Sequence, residues 1–255
     1  LKTTTGCANA RNPTWQSLSA LSSTTRRSSW SSRRQSDDNP ENNCLAFNRG
    51  KLLRHARERK VPVVRFDAQH EGVDQTDGMA IGEENFGGLA PTLELSEGAR
   101  VIITNNLSVD HGLMNGTQGI VQQIVYPVGS AGPNDPDATK RMPQSIVVDC
   151  PQYVGPSFYP GNEERRPWEP ILTKTSHSDK HTNDKRTQFP LVLGWALTPW
   201  KAQGMTLDKV IVKLGASVGE PGVLFVALSR VRHPDDLMLD DEFPALYETV
   251  SNTHL

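Results

Sequence analysis

The spacing of apolar residues changes along the chain, and each spacing predicts a type of element. Residues 48–60 carry apolar side chains at helical spacing on one side and basic side chains on the others, which predicts a helix. The apolar positions of this helix are Leu52, Leu53 and Ala56. The apolar run at residues 61–66 predicts a strand, and residues 45–47 are interpreted as a short strand before the helix. Strand, helix and strand in this order are typical of an α/β fold.

The middle of the chain has the short apolar runs of a β-rich segment. Strands are predicted at residues 99–104, 119–126 and 145–149. The dipeptide Asn115-Gly116 predicts a tight turn. Small barrels and sheets are assembled from such strands. Two polar stretches flank them: we expect residues 67–91 to form an exposed connection and residues 151–186 to form a functional or mobile loop.

The last third returns to α/β order. After an apolar run at residues 189–197, Thr198 to Gln203 predicts a short turn of helix that ends at Gly204. The strand at residues 210–212 is followed by a helix that begins at Pro221, where the missing proline N–H costs nothing. Leu237-Met238-Leu239 predicts a closing strand. Parallel strands with helical crossovers place their loops at one end of the sheet, where α/β proteins bind ligands.

The helix that begins at Pro221 ends in the sequence Ala227-Leu-Ser-Arg230-Val-Arg232. Its apolar run predicts a mostly buried helix that delivers two guanidinium groups at its end. A buried cation without a partner costs several kcal/mol, and a planar guanidinium matches carboxylate or phosphate oxygens. The sequence therefore predicts an acidic side chain or a bound phosphate beside Arg230.

Composition narrows the class of protein without identifying a partner. Hydrophobic residues make up 36% of the 255 residues, and no apolar run approaches the roughly 18 residues that cross a membrane. The net charge of −2 does not indicate nucleic-acid binding, although a neutral total can hide a locally basic groove. The three widely spaced cysteines argue against a disulfide framework or a zinc ribbon and favour a reducing compartment. His177 and His181 are interpreted as loop histidines, so no metal site is predicted.

Two motifs in order carry a family resemblance. The loop Thr198–Leu207 precedes a buried strand, and Val226–Arg230 follows it at the end of a helix. In this order they resemble the fifth and sixth motifs of the Pif-type, RecD-like branch of the superfamily 1 DNA helicases. Further matching segments are Arg186–Leu191, Leu95–Val101, Asn105–Leu107, Gly112–Gly119 and Phe47-Asn48, so that the resemblance covers about residues 41–242. The chain departs from the family pattern at Ala202 and at Pro199-Trp200.

The resemblance implies a fold and a division into domains. The expected fold is α/β: the second motor domain of a RecA-like P-loop NTPase, with an inserted small Src-homology-type β-barrel. The motor domain is expected at residues 41–94 and 187–242, and the barrel with its long loop at residues 95–186. Residues 1–40 are Ser-rich and Thr-rich and are expected to be a disordered or misannotated segment, with a C-terminal tail at 243–255. Because the chain begins with Leu1 rather than Met, we expect it to be a fragment or a product of incomplete gene modelling.

The resemblance also implies a function, an ATP-dependent helicase that moves 5′ to 3′ on single-stranded DNA and unwinds duplex. Arg230 would be the catalytic arginine that reaches the ATP γ-phosphate, as arginine fingers do. Gly204, Met205 and Thr206 would border the nucleotide. Thr198, Trp200, Lys201 and Asn115 would contact DNA. ATP and Mg²⁺ are expected cofactors of an intact protein but not tight ligands of this chain alone, since no Gly-x-x-x-x-Gly-Lys-[Ser/Thr] sequence is present.

The expected partners are single-stranded or forked DNA and a first motor domain, without a membrane or an obligate oligomer, in the nucleus or mitochondrion. Two other interpretations remain open at the sequence level. The chain could be an inactive remnant that only binds single-stranded nucleic acid, or a plain α/β scaffold in which Arg230 pairs with a carboxylate. For the loop taken alone, Trp195 and Trp200 could both be core aromatics.

Overall fold

The structure is a computed structural model, and it describes residues 16–20, 40–135, 141–179, 183–214 and 222–240. In chain order the helices and strands are β1 (Gln16–Ala20), α1 (Pro40–Arg59), β2 (Val64–Asp67), β3 (Gln69–Glu71), α2 (Gln75–Ala80), β4 (Thr92–Leu95), β5 (Arg100–Ile103), β6 (Gln118–Val125), β7 (Ser145–Asp149), β8 (Trp168–Ile171), β9 (Lys174–His177), β10 (Lys185–Gln188), β11 (Leu191–Leu193), β12 (Ala196–Leu197), β13 (Val210–Leu214), α3 (Val223–Leu228) and β14 (Leu237–Leu239). They fall into two compact units, Glu41–Ala196 and a second unit formed by Leu1–Pro40 with Leu197–Leu255.

Antiparallel sheets dominate the Glu41–Ala196 unit. Its largest sheet has five strands in the order β11-β5-β6-β7-β8, and two smaller sheets have the orders β3-β10-β9 and β2-β4. Every pair in these sheets is antiparallel. The core of the unit is built from alternate positions of these strands together with Leu52 of α1 and Phe189. The unit is therefore a β-rich body with one long helix.

Helix α1 begins earlier than its apolar pattern predicted. Its buried positions are Cys44, Asn48, Leu52 and Ala56, a spacing of four residues that lines one side of a helix. The helix spans residues 45–47, so the prediction of a strand there was wrong. Leu53, which was expected on the buried side, is 45% exposed. Basic residues in the last turn, Arg57 and Arg59, complement the negative end of the helix dipole.

The predicted strands of the middle segment are confirmed as β5, β6 and β7, within a residue or two at each end. The predicted turn is confirmed as well. Gly116 has a φ of 93°, in the left-handed region that glycine adopts without a steric penalty, and its N–H donates to the carbonyl of Ile103 at 2.8 Å. Strand β6 carries an irregularity between Val121 and Gln123 where it pairs with β7.

Both polar stretches that were expected to be loops contain folded elements. Residues 67–91 form β3 and α2, and Phe86 and Leu89 in this stretch are fully buried. Residues 151–186 contain β8 and β9 and enter β10. Antiparallel strands can face solvent on one side, and the outward positions of these strands do so. Their sequences are therefore polar, and hydropathy gives only a weak signal for them.

The second unit contains a parallel arrangement, as the α/β pattern predicted. Strand β13 pairs in parallel with β1 and with β14, in a sheet of the order β12-β1-β13-β14. Within residues 1–40, which were expected to be a disordered or misannotated segment, residues 16–20 form β1, whose backbone groups pair with β13. The rest of that segment, apart from Pro40 in α1, lies outside the described residues, as does the tail at 243–255.

Helix α3 is shorter and more exposed than predicted. It spans six residues after Gly222, and Pro221 lies outside the described residues. Only Ala227 of its six residues is buried, and Phe225 is 74% exposed. The apolar run predicted a mostly buried helix, whereas α3 is half-exposed. Among the helices that the structure describes, none is long and apolar enough to cross a membrane.

Candidate nucleotide and nucleic-acid site

The loop Thr198–Leu207 is a hydrogen-bonded turn that exposes Lys201, Gln203 and Thr206. The N–H of Ala202 donates to the carbonyl of Thr198 at 3.1 Å, and the N–H of Met205 donates to the carbonyl of Ala202 at 3.1 Å. Ala202 is fully buried beneath the turn. A serine at this position would add a hydroxyl to a packed site, so the small apolar side chain matches its surroundings.

Trp200 and Lys201 lie on the surface of this turn. The Trp200 side chain is 54% exposed, which excludes the alternative that it is a core aromatic, whereas Trp195 is partly buried against the core of the larger unit. Lys201 is exposed as well. An indole and an ammonium group one residue apart can contact a base and a phosphate.

Thr198 has a different position from the two residues it was grouped with. Its side chain is only 2% exposed, and its Oγ1 accepts the N–H of Lys201 at 3.5 Å. The hydroxyl therefore holds the start of the turn, and Thr198 positions Lys201 rather than reaching the surface itself.

Gly204, Met205 and Thr206 close the loop. Gly204 has a φ of 79°, and the space into which a Cβ would project holds no atom within 4 Å. The glycine is thus required by its backbone conformation, and open surface lies beside it. Met205 is buried at 9% exposure while Thr206 is exposed.

The guanidinium of Arg230 is held by neutral oxygens. Its Nε donates to the Val226 carbonyl at 2.7 Å, its Nη1 to the Met205 carbonyl at 3.3 Å and its Nη2 to the Ser229 hydroxyl at 2.7 Å. None of these acceptors is a carboxylate, so the interpretation of Arg230 as an ion-paired scaffold residue has no support among the described residues. Arg230 is half-buried and Arg232 is exposed.

The two motifs meet at the Arg230 backbone. The N–H of Leu207 donates to the Arg230 carbonyl at 2.8 Å, and Leu207 forms a parallel bridge with Val231. Together with the bond from Arg230 to Met205, this brings the loop and the end of α3 together, as their order in the sequence predicted. The structure thus gathers Gly204, Met205, Thr206 and Arg230 at one place.

Asn115, the fourth residue expected to contact DNA, belongs to the larger unit. It is exposed at the turn before β6, and its N–H donates to Oδ1 of Asn106 at 2.9 Å.

Two buried polar residues have structural roles that the sequence did not reveal. The Asn48 side chain forms a bidentate pair with the Ala196 backbone: Nδ2 donates to its carbonyl and Oδ1 accepts its N–H, both at 2.8 Å. This pair anchors α1 to the residue that lies two positions before Thr198. Asn48 was noticed only as part of a matching motif, and a buried asparagine cannot be told from an exposed one by hydropathy.

Arg186 is the largest fully buried side chain and the centre of a second network. Its Nη1 donates to the Leu89 carbonyl at 2.8 Å, and its Nη2 donates to the carbonyls of Gly78 and Ile81, both at 2.7 Å. Its Nε donates to His70 at 2.9 Å. Its guanidinium also lies over the Phe86 ring, 4.2 Å from the centroid. This single side chain ties β10 to the folded segment at residues 67–91.

Burial shifts the pKa values of this network. Desolvation lowers the pKa of Arg186, and the charges of Glu83 and Glu84 oppose that change. Desolvation also lowers the pKa of His70; the hydrogen bond that His70 Nδ1 donates to Oε1 of Gln75 opposes this change, and the Arg186 charge adds to it. His70 is therefore held neutral, as an acceptor for Arg186 Nε must be.

No group of three or more metal-ligating side chains lies together in the part of the chain that the structure describes. His177 is an exposed residue of β9, and His181 lies outside the described residues.

Comparison with known proteins identifies similar proteins for part of this chain. Residues 86–124 match the family described as DNA helicase Pif1, 2B domain. The chain is 35% identical over 151 residues to the ATP-dependent DNA helicase PIF6 of Trypanosoma brucei brucei, covering 59% of this chain and 16% of that protein. It is 33% identical over 159 residues to human ATP-dependent DNA helicase PIF1, covering 60% and 20%. The matched stretch is thus about a fifth or less of these relatives' length.

Solved structures with the same fold are also Pif1 helicases. The crystal structure of Pif1 helicase from Candida albicans matches with a TM-score of 0.57 at 22% identity, over 94% of this chain and 50% of that chain. Bacteroides Pif1 bound to single-stranded DNA matches with a TM-score of 0.52 at 19% identity, over 93% and 44%. The fold is accordingly the RecA-like helicase fold that was expected. In sequence and in fold, the chain is similar to the Pif1-type DNA helicases.

Proposed function

We propose that this chain supplies the second motor region of an ATP-dependent DNA helicase that moves 5′ to 3′ along single-stranded DNA. The observation that carries the proposal is the contact between the two motifs: Arg230 donates to the Met205 carbonyl, and its own carbonyl accepts the Leu207 N–H. A loop for the nucleic acid and an arginine for the nucleotide are thereby parts of one structural element, so movement of one moves the other.

The geometry of Arg230 fits a role toward ATP. Its acceptors are a hydroxyl and two carbonyls, which orient the guanidinium without neutralising it. Such a cation can still stabilise negative charge on a transferring γ-phosphoryl group. Gly204, Met205 and Thr206 would border the same nucleotide. Hydrolysis of Mg·ATP would supply the free energy for movement, with the phosphate loop and the magnesium ligands contributed by a first motor domain.

The DNA contact is assigned to the exposed pair Trp200 and Lys201. Lys201 would pair with a backbone phosphate and Trp200 would stack on a base, while Thr198 holds the turn that presents them. Asn115 would add a contact from the turn before β6. We assign the five-stranded sheet β11-β5-β6-β7-β8 to the inserted Src-homology-type barrel. Since DNA is the proposed substrate, the nucleus or the mitochondrion is the proposed location.

Binding of a fluorescent oligothymidine to the full 255-residue chain tests the DNA assignment. Trp200→Ala should weaken binding roughly tenfold, since one stacked base contributes about 1–3 kcal/mol. Lys201→Ala should weaken binding and should reduce the slope of log K against log salt concentration by about 0.7, the value for one phosphate contact on a single strand. Lys213→Ala, an exposed lysine in β13, is the matched control and should change neither quantity. Equal effects of Lys201→Ala and Lys213→Ala would contradict the assignment.

A further inference from the structure

A second group of rings and charges lies between β7 and β8, outside the residues matched to the 2B domain. Phe158, Tyr159, Trp168 and Arg165 form this group, which we call the aromatic platform. The Tyr159 ring makes edge contacts with Phe158 at 5.2 Å and with Trp168 at 6.0 Å between centroids. Phe158 is 58% exposed, and Tyr159 and Trp168 are half-buried beneath it. These three aromatic rings thus lie together at the protein surface instead of in the hydrophobic core.

Arg165 lies on these rings with its hydrogen-bonding capacity unused. Its guanidinium is 4.9 Å from the Trp168 centroid and 5.6 Å from the Tyr159 centroid. Within the described ranges, no acceptor or carboxylate pairs with its side chain, which is exposed. A guanidinium carries five N–H donors in its plane. The guanidinium therefore rests against the rings while its donors remain available to an anion.

The backbone beneath the platform is held in place. Arg165 lies at the end of a short 3-10 turn, Glu163–Arg165, whose cap residue Asn162 accepts the Arg165 N–H at 3.1 Å through its side chain. The Tyr159 N–H donates to the Ser157 hydroxyl at 3.1 Å, and the Tyr159 carbonyl accepts the Asn162 N–H at 3.2 Å. Because the turn is capped, the backbone that carries the rings and the guanidinium is ordered before any ligand arrives.

We propose that the aromatic platform is a second contact for single-stranded nucleic acid, in which one base stacks on Phe158 and the Arg165 donors take the adjacent phosphate. This inference rests on the proposed function, since it names a further site for the same ligand. Every base has a face that can stack on a ring or on a guanidinium, so the contact would not select sequence. Glu163 and Glu164 offset the charges of Arg165 and Arg166. Stacking, rather than net charge, therefore supplies most of the affinity.

Binding of an oligothymidine that contains one 2-aminopurine tests the platform in the full chain. Phe158→Ala should weaken binding about tenfold, abolish part of the fluorescence quenching that stacking causes, and leave the salt slope unchanged because a ring carries no charge. Arg165→Lys keeps the charge but loses the planar fork, and should weaken binding about threefold. The matched controls are Phe47→Ala, 42% exposed on α1, and Arg65→Ala, exposed on β2. Both controls should bind within twofold of the unchanged chain.

The outcomes separate the two proposals. If Trp200→Ala and Lys201→Ala weaken binding while Phe158→Ala and Arg165→Lys behave like their controls, the platform is not a nucleic-acid contact and the proposed function stands. If the unchanged chain does not bind the strand, the proposed function is wrong, and the platform proposal, which depends on it, is wrong as well. A folding check by urea denaturation accompanies each variant. Capture of a peptide on the platform, with no effect on oligonucleotide binding, would also overturn the inference.

Discussion

Arg186 has no access to solvent, and neutral acceptors surround its charge. Three carbonyls and a neutral imidazole take its donors, and the Phe86 ring covers one face of the guanidinium. Each of these acceptors would lose a buried hydrogen bond if the side chain were removed. A buried hydrogen bond to a charged donor is worth more than a neutral one, and an orphaned acceptor costs about 1–3 kcal/mol. Arg186 is therefore a structural residue.

Arg186→Met should lower the free energy of unfolding by about 3 kcal/mol. The hydrogen bonds that the buried acceptors lose cost more than is gained by no longer burying a cation. Urea denaturation followed by tryptophan fluorescence measures the loss. Arg65→Met is the control: Arg65 forms an exposed ion pair with Asp67 at 2.9 Å, and its loss should cost at most about 1 kcal/mol. Equal losses for the two variants would contradict the role assigned to Arg186.

Cys150 gives a prediction in alkaline solution. Its thiol is fully buried, and burial, followed by the charges of Asp149 and Glu169, raises its pKa from 9.0 to about 12. The folded state thus retains a proton that the unfolded state loses as pH rises past 9.0, so this contribution to stability is complete below that pH and decreases above it. Relative to Cys150→Ala, the unchanged chain should lose about 1.4 kcal/mol between about pH 8 and about pH 10. If the free energies of unfolding of the two chains changed equally with pH, the raised pKa of Cys150 would be contradicted.

At the scale of elements, the link between α1 and the backbone of Ala196 depends on one amide. Asn48 both donates to and accepts from the Ala196 backbone, which is the last residue of its unit. An aspartate at this position can still accept the Ala196 N–H but cannot donate to its carbonyl.

Asn48→Ala should therefore cost about 2 kcal/mol of stability, because two buried backbone groups lose their partner. Asn48→Asp keeps one bond but places a carboxylate beside a carbonyl oxygen, so it should cost at least as much above its pKa and less when acid protonates it. Thermal unfolding at neutral and acidic pH measures both. A difference between the two variants that does not depend on pH would contradict the bidentate pairing.

The elements show which parts of the fold hydropathy could predict. Strands β5, β6 and β7 and the loop that ends at Gly204 follow from apolar runs and turn residues, because one face of each strand is buried. Strand β9 and helix α2 are polar, and their positions depend on the distant partners β10 and Arg186. The aromatic platform is missed for the same reason: Phe158 and Trp168 are ten residues apart in sequence, and only the hairpin between β7 and β8 brings their neighbours together. The local sequence pattern carries no information about contacts of this kind.

At the scale of the whole molecule, a net charge of −2 is compatible with binding DNA only if the contacts are local. The residues assigned to DNA are few: Trp200 and Lys201 in one unit, and Asn115 with the aromatic platform in the other. With so few cations, release of counterions contributes little, and the affinity should be weak. Stable association with DNA then requires either the rest of a motor or a strand that engages several of these contacts at once.

Turnover of ATP provides the test of the whole molecule. An arginine finger accelerates phosphoryl transfer only when another surface holds the nucleotide and its Mg²⁺, and the sequence of this chain contains no Gly-x-x-x-x-Gly-Lys-[Ser/Thr] segment to do so. The chain alone should therefore release phosphate from ATP at the rate of a blank, with or without single-stranded DNA. When a phosphate-loop motor domain is supplied in the same chain, DNA-stimulated turnover should appear. Arg230→Ala should then reduce it by about 10³-fold or more while DNA binding is retained, and Arg232→Ala, an exposed neighbour of equal charge, should not. If the chain alone hydrolysed ATP and Arg230→Ala abolished that hydrolysis, the chain would hold a complete nucleotide site. The proposed division of roles between two motor domains would then be wrong.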